Sequence, residues 1–366
     1  YGDATCVITN AKHVANFAVT GGSASYSCGV LEAYFGDNTC NTTAMLGTYF
    51  SSFGQLTSVV SFGYLEYVKL PATVAWTTQL ASMFAYCQSL YKVVMPTSAS
   101  AVTNLVSTFY LCSNLLDIVF PSDCTAVTNI TSCFQGCNNL RSIVFPSSLN
   151  SVTTMSSMCV LCNSLKNVTL PSIDSCTVFN NAFSTCASLQ WVKFTSLPAP
   201  ASPATAITMN TTFDSCGQLQ NVFMPDTCSG NGVYALATTF NKCSALKSLT
   251  FPTNFNASSL NLAFTGTGCT SIVFQSGMSA LTDMSSAFQG CTALSSITLP
   301  STVSSSGVNL SATFYGCSSL SSVTIPSGWL ITNLAQTFYN CYNIKTIGLP
   351  NNAQNSVTTM VNMCNS

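Results

Sequence analysis

Proline recurs at Pro71, Pro96, Pro121, Pro146 and Pro171, a strict period of 25, and resumes at Pro225, Pro252, Pro300, Pro326 and Pro350. Nine residues before most of these stands a cysteine: Cys87, Cys112, Cys137, Cys162, Cys216, Cys243, Cys291, Cys317 and Cys341. Cys186 keeps the phase without its proline. A chain with a fixed short period folds as a stack of similar units, because no single unit can bury its apolar face alone. The repeat therefore overrides the length prior, which for 366 residues would be two or three globular domains.

With the cysteine as position zero, +3 is Leu or Ile (Leu90, Leu115, Leu140), +6 is β-branched or Leu (Val93, Ile118, Ile143) and +8 is large and apolar (Met95, Phe120, Phe145). Position −3 is nearly always Phe, from Phe84 and Phe109 to Phe338, and −7 is apolar. The alternation at +6 and +8 is a strand, stopped by the proline. The 3, 4, 3 spacing of positions −10, −7, −3 and 0 predicts one face of a short helix or helical turn. Two coils are degenerate: Phe62 takes position zero in the first, and Gly266 in a later one, followed by Cys269, Ile272 and Phe274. The expectation is an α/β solenoid of about twelve coils of roughly 25 residues. A parallel sheet lines one face and short helices or turns the other, over a length of about 58 Å. The stretch Leu197–Pro203 reads as a surface loop or kink in a swollen sixth coil.

Composition narrows the function. Only 5% of residues are charged, with a net charge of −1, so no basic field exists to neutralise a nucleic-acid backbone. Apolar residues make up 47%, enough to bury a core, yet no apolar run approaches a membrane span. His13 is the only imidazole, the acids are scattered and no phosphate-binding glycine loop occurs, so nothing points to an enzyme or to a cofactor.

The motif F-x-x-C-x-x-L-x-x-I-x-L-P, as in Phe288–Pro300, resembles the BspA-like leucine-rich repeats over about residues 55–366. The resemblance implies a leucine-rich-repeat solenoid displayed on a cell or virion surface. Its work would be recognition or adhesion, with no catalytic residues to carry over. Residues 1–50 do not repeat and read as an N-terminal cap or attachment segment, and 51–366 as the solenoid.

Ten of the twenty cysteines form the position-zero column, Cys87, Cys112, Cys137, Cys162, Cys186, Cys216, Cys243, Cys291, Cys317 and Cys341. The expectation is a ladder of buried, reduced thiols acting as small hydrophobes. Cys159-Val-Leu-Cys162, with Cys133 and Cys137, has zinc-like spacing, but two of the four belong to the ladder, and no metal is expected. The off-ladder cysteines 6, 28, 40, 124, 133, 159, 176, 228, 269 and 364 are the disulfide candidates.

Positions +4, +5 and +7 project from the sheet and carry seven of the nine basic residues: Lys69, Lys92, Arg141, Lys166, Lys193, Lys247 and Lys345. Glu66 and Asp117 are the only acids there, and Tyr67, Tyr91, Trp191 and Phe223 add aromatic surface. Lysine keeps an exposed sheet soluble, and the same residues would also anchor an anionic or sugar ligand. Asn41, Asn129, Asn167, Asn210, Asn256 and Asn309 head Asn-x-Ser/Thr sequons and are candidate glycosylation sites in a secreted chain.

Val357, Met360 and Cys364 fit −10, −7 and −3 of a thirteenth coil whose position zero would be residue 367. The expectation is a longer native chain or end-to-end stacking of copies, the latter making a structural subunit of an extracellular filament or virus fibre the alternative to a protein- or glycan-binding surface module.

Overall fold

The computed structural model describes residues 32–34, 66–70, 80–198, 206–228, 232–351 and 357–364. Short parallel strands return to one face in turn: β1 (Glu32–Tyr34), β2 (Tyr67–Lys69), β3 (Lys92–Val94), β4 (Asp117–Val119), β5 (Ser142–Val144), β6 (Asn167–Leu170), β7 (Trp191–Phe194), β9 (Asn221–Phe223), β11 (Ser248–Phe251), β13 (Ser271–Phe274), β15 (Ser322–Thr324) and β17 (Thr346–Gly348). From β2 to β17 the chain makes about eleven turns. Each coil adds its strand beside the last, with position +6 facing inward and in line: Val68 opposite Val93, Ile118 opposite Ile143, and Val168 opposite Val192 and then Val222. β1 pairs with β2, so the same sheet takes in a strand from the non-repeating residues 1–50.

A second parallel ladder, absent from the sequence reading, runs at position −8. It consists of bridges joining Asn104, Asn129, Thr154, Val178 and Thr208, then β8 (Ala206–Thr208), β10 (Val233–Ala235), β12 (Asn256–Ser259), β14 (Val308–Asn309) and β16 (Ile331–Asn333). The register of this ladder shifts by one residue at Tyr234/Ala235 and at Val308/Asn309.

The expected short helices do not form: among the described residues the segment between −7 and 0 is all turn. An α-helix sends each N–H to the carbonyl four residues back. Here the N–H groups alternate. Leu105, Ser107, Phe109 and Leu111 donate to carbonyls of the next coil, at Asn129, Thr131, Cys133 and Gln135, while Thr108, Tyr110 and Cys112 donate three residues back within their own. The alternation is set by left-handed residues at −5 and −1 of every coil whose turn segment lies among the described residues, such as Ser107 (φ 54°) and Leu111 (φ 58°) or Ser132 (φ 53°) and Gly136 (φ 78°). Consecutive three-residue turns place −7, −3 and 0 inward as a helix would, so the apolar spacing fits both. Donation to the next coil, which only the stack offers, selects the turns.

The register of the degenerate coil is also corrected. Left-handed Leu262 and Gly266 are its −5 and −1 residues, so Thr267, not Gly266, occupies position zero, and Phe264 at −3 joins the phenylalanine column. The core is that column together with its neighbours. Phe84, Phe109 and Phe134 form one stack and Phe183, Phe213, Phe240, Phe264, Phe288, Phe314 and Phe338 a second, with ring centroids 5.2–5.6 Å apart. Cys159 stands between the two runs. Two large side chains tie neighbouring coils together: Trp329 donates its indole N–H to the Pro300 carbonyl at 3.1 Å, and Tyr234 its hydroxyl to that of Pro198 at 3.2 Å. Pro198 ends the described part of the Leu197–Pro203 loop, whose remaining positions lie outside the described residues.

Candidate functional site

The strand-face residues at +5 and +7 lie where the period-two pattern puts them, and those at +4 are exposed just before the strand. Lys69 is in β2. Lys92, Arg141, Lys166, Lys193, Lys247 and Lys345 are exposed, as are Glu66 and Asp117, while Tyr67 and Trp191 are half-buried. The face also exposes Tyr91, Val119, Val144, Phe223 and Val273, each by 40% or more, which is unusual for side chains that large and apolar. In-register neighbours produce local order. Lys92 stands opposite Tyr67, its Nζ 5.9 Å from the ring centroid, a cation–π contact. Lys92 is also opposite Asp117, whose carboxylate accepts the Ser142 hydroxyl at 2.6 Å. Lys193 is opposite Phe223, and Trp191 meets that ring edge-on at 6.2 Å. Arg141 and Lys166 share the +4 column on successive coils. From β13 to β15 the columns are mostly hydroxyls, Thr270, Ser271, Ser295, Ser321, Ser322 and Thr324, with Val273 among them, and Lys345 follows beside β17.

Inside, the position-zero cysteines stand in one buried column. Each Sγ after Cys87 reaches a carbonyl of the preceding coil: Cys112 to Phe84 at 2.9 Å, Cys137 to Phe109 and Cys162 to Phe134 at 3.1 Å, and Cys186 to Cys159 at 2.9 Å. Cys216, Cys243, Cys291, Cys317 and Cys341 follow, at 2.9–3.1 Å. Thr267 takes the vacant step and lies 3.3 Å from the Cys291 sulfur. The accepting carbonyl already takes a backbone N–H, as Phe134 does from Cys137. The thiol therefore occupies its second lone pair, a polar duty beyond packing. A parallel file of threonines at −4 does the same: Thr108, Thr212, Thr239, Thr313 and Thr337 donate to carbonyls at −7 of the coil before.

Burial raises the thiol pKa of Cys87 to about 12 and of Cys291 and Cys341 to about 11, and it pushes up those of Cys112, Cys137, Cys186, Cys243 and Cys317 as well. These eight thiols stay protonated at neutral pH. The off-ladder Cys124, Cys133, Cys159, Cys176, Cys228 and Cys269 are also buried and free, and Cys364 is exposed and free, so none of these disulfide candidates is bridged. Cys6, Cys28 and Cys40, with His13 and Asn41, lie outside the described residues. Among the described residues no three His, Cys, Asp or Glu side chains are grouped to hold a metal, the Cys133–Cys162 set included. No helix there is long and apolar enough to cross a membrane.

The sequons separate into two kinds. Asn129 and Asn309 accept the N–H two residues on, closing Asx-turns at the −8 ladder; Asn210 and Asn256 accept an N–H from the next coil. Asn167 is exposed on the strand face beside Trp191. The Asx role of −8, shared by Asn104, Asp283 and Asn333, was legible as a column of Asn, Asp and Thr that sequence reasoning passed over. Asp123 likewise serves the stack. Its carboxylate accepts the Ser98 hydroxyl at 2.5 Å and the Ala99 N–H at 2.8 Å, and these bonds hold its pKa below the usual carboxylate value.

A family profile described as "BspA type Leucine rich repeat region" matches in six copies, over overlapping segments that together run from residue 60 to residue 366. The chain belongs to the BspA-type leucine-rich repeat family. Similar solved structures include a leucine-rich repeat protein from Bacteroides ovatus (18% identity, 94% of this chain and 90% of that one covered, TM-score 0.42). Others are a leucine-rich cell surface protein from Faecalibacterium prausnitzii (19%, 92% and 88%, 0.36) and a Treponema pallidum leucine-rich repeat protein (21%, 59% and 84%, 0.35). A search of curated proteins gives no match. The family and these neighbours are leucine-rich repeat proteins, and nothing in the comparisons points to catalysis.

Proposed function

We propose that the chain is a non-enzymatic, extracellular recognition or adhesion module whose strand face binds a protein or glycan ligand on a surface. The observation that carries this is the concentration of charge. Seven of nine basic residues occupy the strand face, against two acids, in a molecule of net charge −1. Solubility alone would be served equally by acids or by lysines spread over the turns. Exposed aromatic and aliphatic side chains between the cations add desolvation energy to the steering field.

The test is chromatography on immobilised polyglutamate and heparin at increasing salt. The protein should be retained at low ionic strength, and Lys92→Ala with Lys166→Ala should lower the eluting salt concentration. Passage of the unmodified protein without retardation, or an unchanged elution point for the variant, would return these residues to a solubility role.

A further inference from the structure

We infer that the partner of the strand face is a protein, engaged through an acidic segment with one apolar edge that lies along the solenoid axis across β4 to β9. This rests on the binding role proposed for that face. The +4 column carries Arg141 and Lys166 on successive coils, and the +7 column carries Val119 and Val144 on successive strands, both about half exposed. Cations thus line the +4 side of the face, while the +7 side runs Val119, Val144, Thr169, Lys193 and Phe223. Further along, Trp191 and Phe223 meet edge to face, with Lys193 opposite Phe223 in the ladder.

Charge complementarity selects the occupant. The only acid on this stretch of the face is Asp117, so Arg141, Lys166 and Lys193 outnumber it and set the sign of the field. A polyanionic glycan would answer the cations but would strand the valines, whose burial gains nothing against hydroxyls and sulfates. An acidic peptide with leucine or phenylalanine on one side satisfies both columns. Four strand spacings separate Val119 from Phe223, about 19 Å, the length of roughly 13 residues of helix. The valine side and the aromatic pair would form the dry centre of the contact and the cations its rim.

The experiment is selection of a displayed 15-residue random peptide library on the folded protein. The expected result is enrichment of peptides rich in Glu or Asp with Leu, Phe or Trp. Their affinity should fall roughly tenfold in Arg141→Ala with Lys166→Ala and by a similar factor in Val119→Thr with Val144→Thr. Both pairs are exposed, and threonine keeps the β-branched shape, so the fold is retained; urea unfolding of each variant checks it. Enriched peptides that lack acids, indifference to the valine pair, or no enrichment at all would overturn the inference. Heparin that binds more tightly than every selected peptide and displaces them all would overturn it too, in favour of a glycan, while leaving the binding role of the face intact.

Discussion

Replacing Cys162 with alanine isolates what the thiol column contributes. Cys162 is fully buried and its Sγ lies 3.1 Å from the Phe134 carbonyl. Truncation removes one buried sulfur, about 1 kcal/mol on the scale of a buried methylene. It also removes a weak thiol hydrogen bond of about 0.5 kcal/mol, at the low end for neutral pairs. The gap left behind adds about 0.5 kcal/mol, taking roughly 20 Å³ at about 24 cal/mol per Å³. The carbonyl is not orphaned, because the Cys137 N–H still reaches it at 3.0 Å, so no full desolvation penalty is added. The total is about 2 kcal/mol, against about 3–5 kcal/mol for truncating a stacked phenylalanine such as Phe213. Cys162→Thr should cost less than Cys162→Ala, since Thr267 already fills the same position one coil before Cys291. Urea unfolding, followed by far-ultraviolet circular dichroism, measures the shift of midpoint. A Cys162→Ala variant within about 0.5 kcal/mol of the parent, or a Cys162→Val variant more stable than it, would refute a polar role for the column.

Brief alkylation of the native protein should modify Cys364 and spare the buried thiols at positions zero and −3, whereas alkylation after unfolding should modify them all; peptide mass spectrometry reads both, and bridges between ladder neighbours would contradict it. Stability should fall in alkali. The folded pKa values of Cys87, Cys176 and Cys291 are raised, to about 11 or 12, so their contribution is complete below the unfolded value near 9 and is lost as pH rises from there through the folded values. Each such thiol costs about 1.4 kcal/mol per pH unit within that window, and a melting temperature unchanged between pH 8 and 10.5 would rule this out. Gly136→Ala should destabilise by about 1–2 kcal/mol. Its φ of 78° is left-handed, and the added Cβ would collide with the Leu111 side chain. Ser107→Gly, at an equally left-handed position, should be neutral or stabilising in the same thermal melt.

The sequence by itself determined the period, the inward columns and the outward face. Phe at −3, Cys at 0, Leu at +3 and the β-branched residue at +6 are spaced so that one coil geometry buries them all, and Pro at +9 can only follow the strand. Among the strand-face cations, Lys69, Lys92 and Lys193 were legible because period two leaves +5 and +7 no other direction, whereas Arg141, Lys166, Lys247 and Lys345 at +4 stand just ahead of the alternating stretch. Tertiary structure decided how the rest of each coil closes. The spacing of Leu105, Phe109 and Cys112 suits a helix as well as a chain of turns, and the next coil's carbonyls at Asn129, Thr131, Cys133 and Gln135 settle it by taking every second N–H. The same inter-coil bonding places Thr267 rather than Gly266 in the thiol column, and makes Asn104, Asn129, Asn309 and Asn333 a turn-closing ladder. Hydrogen bonds between coils depend on partners about 25 residues away, whereas apolar spacing is a local property of the chain; that is why the columns could be read from the sequence and the turns could not.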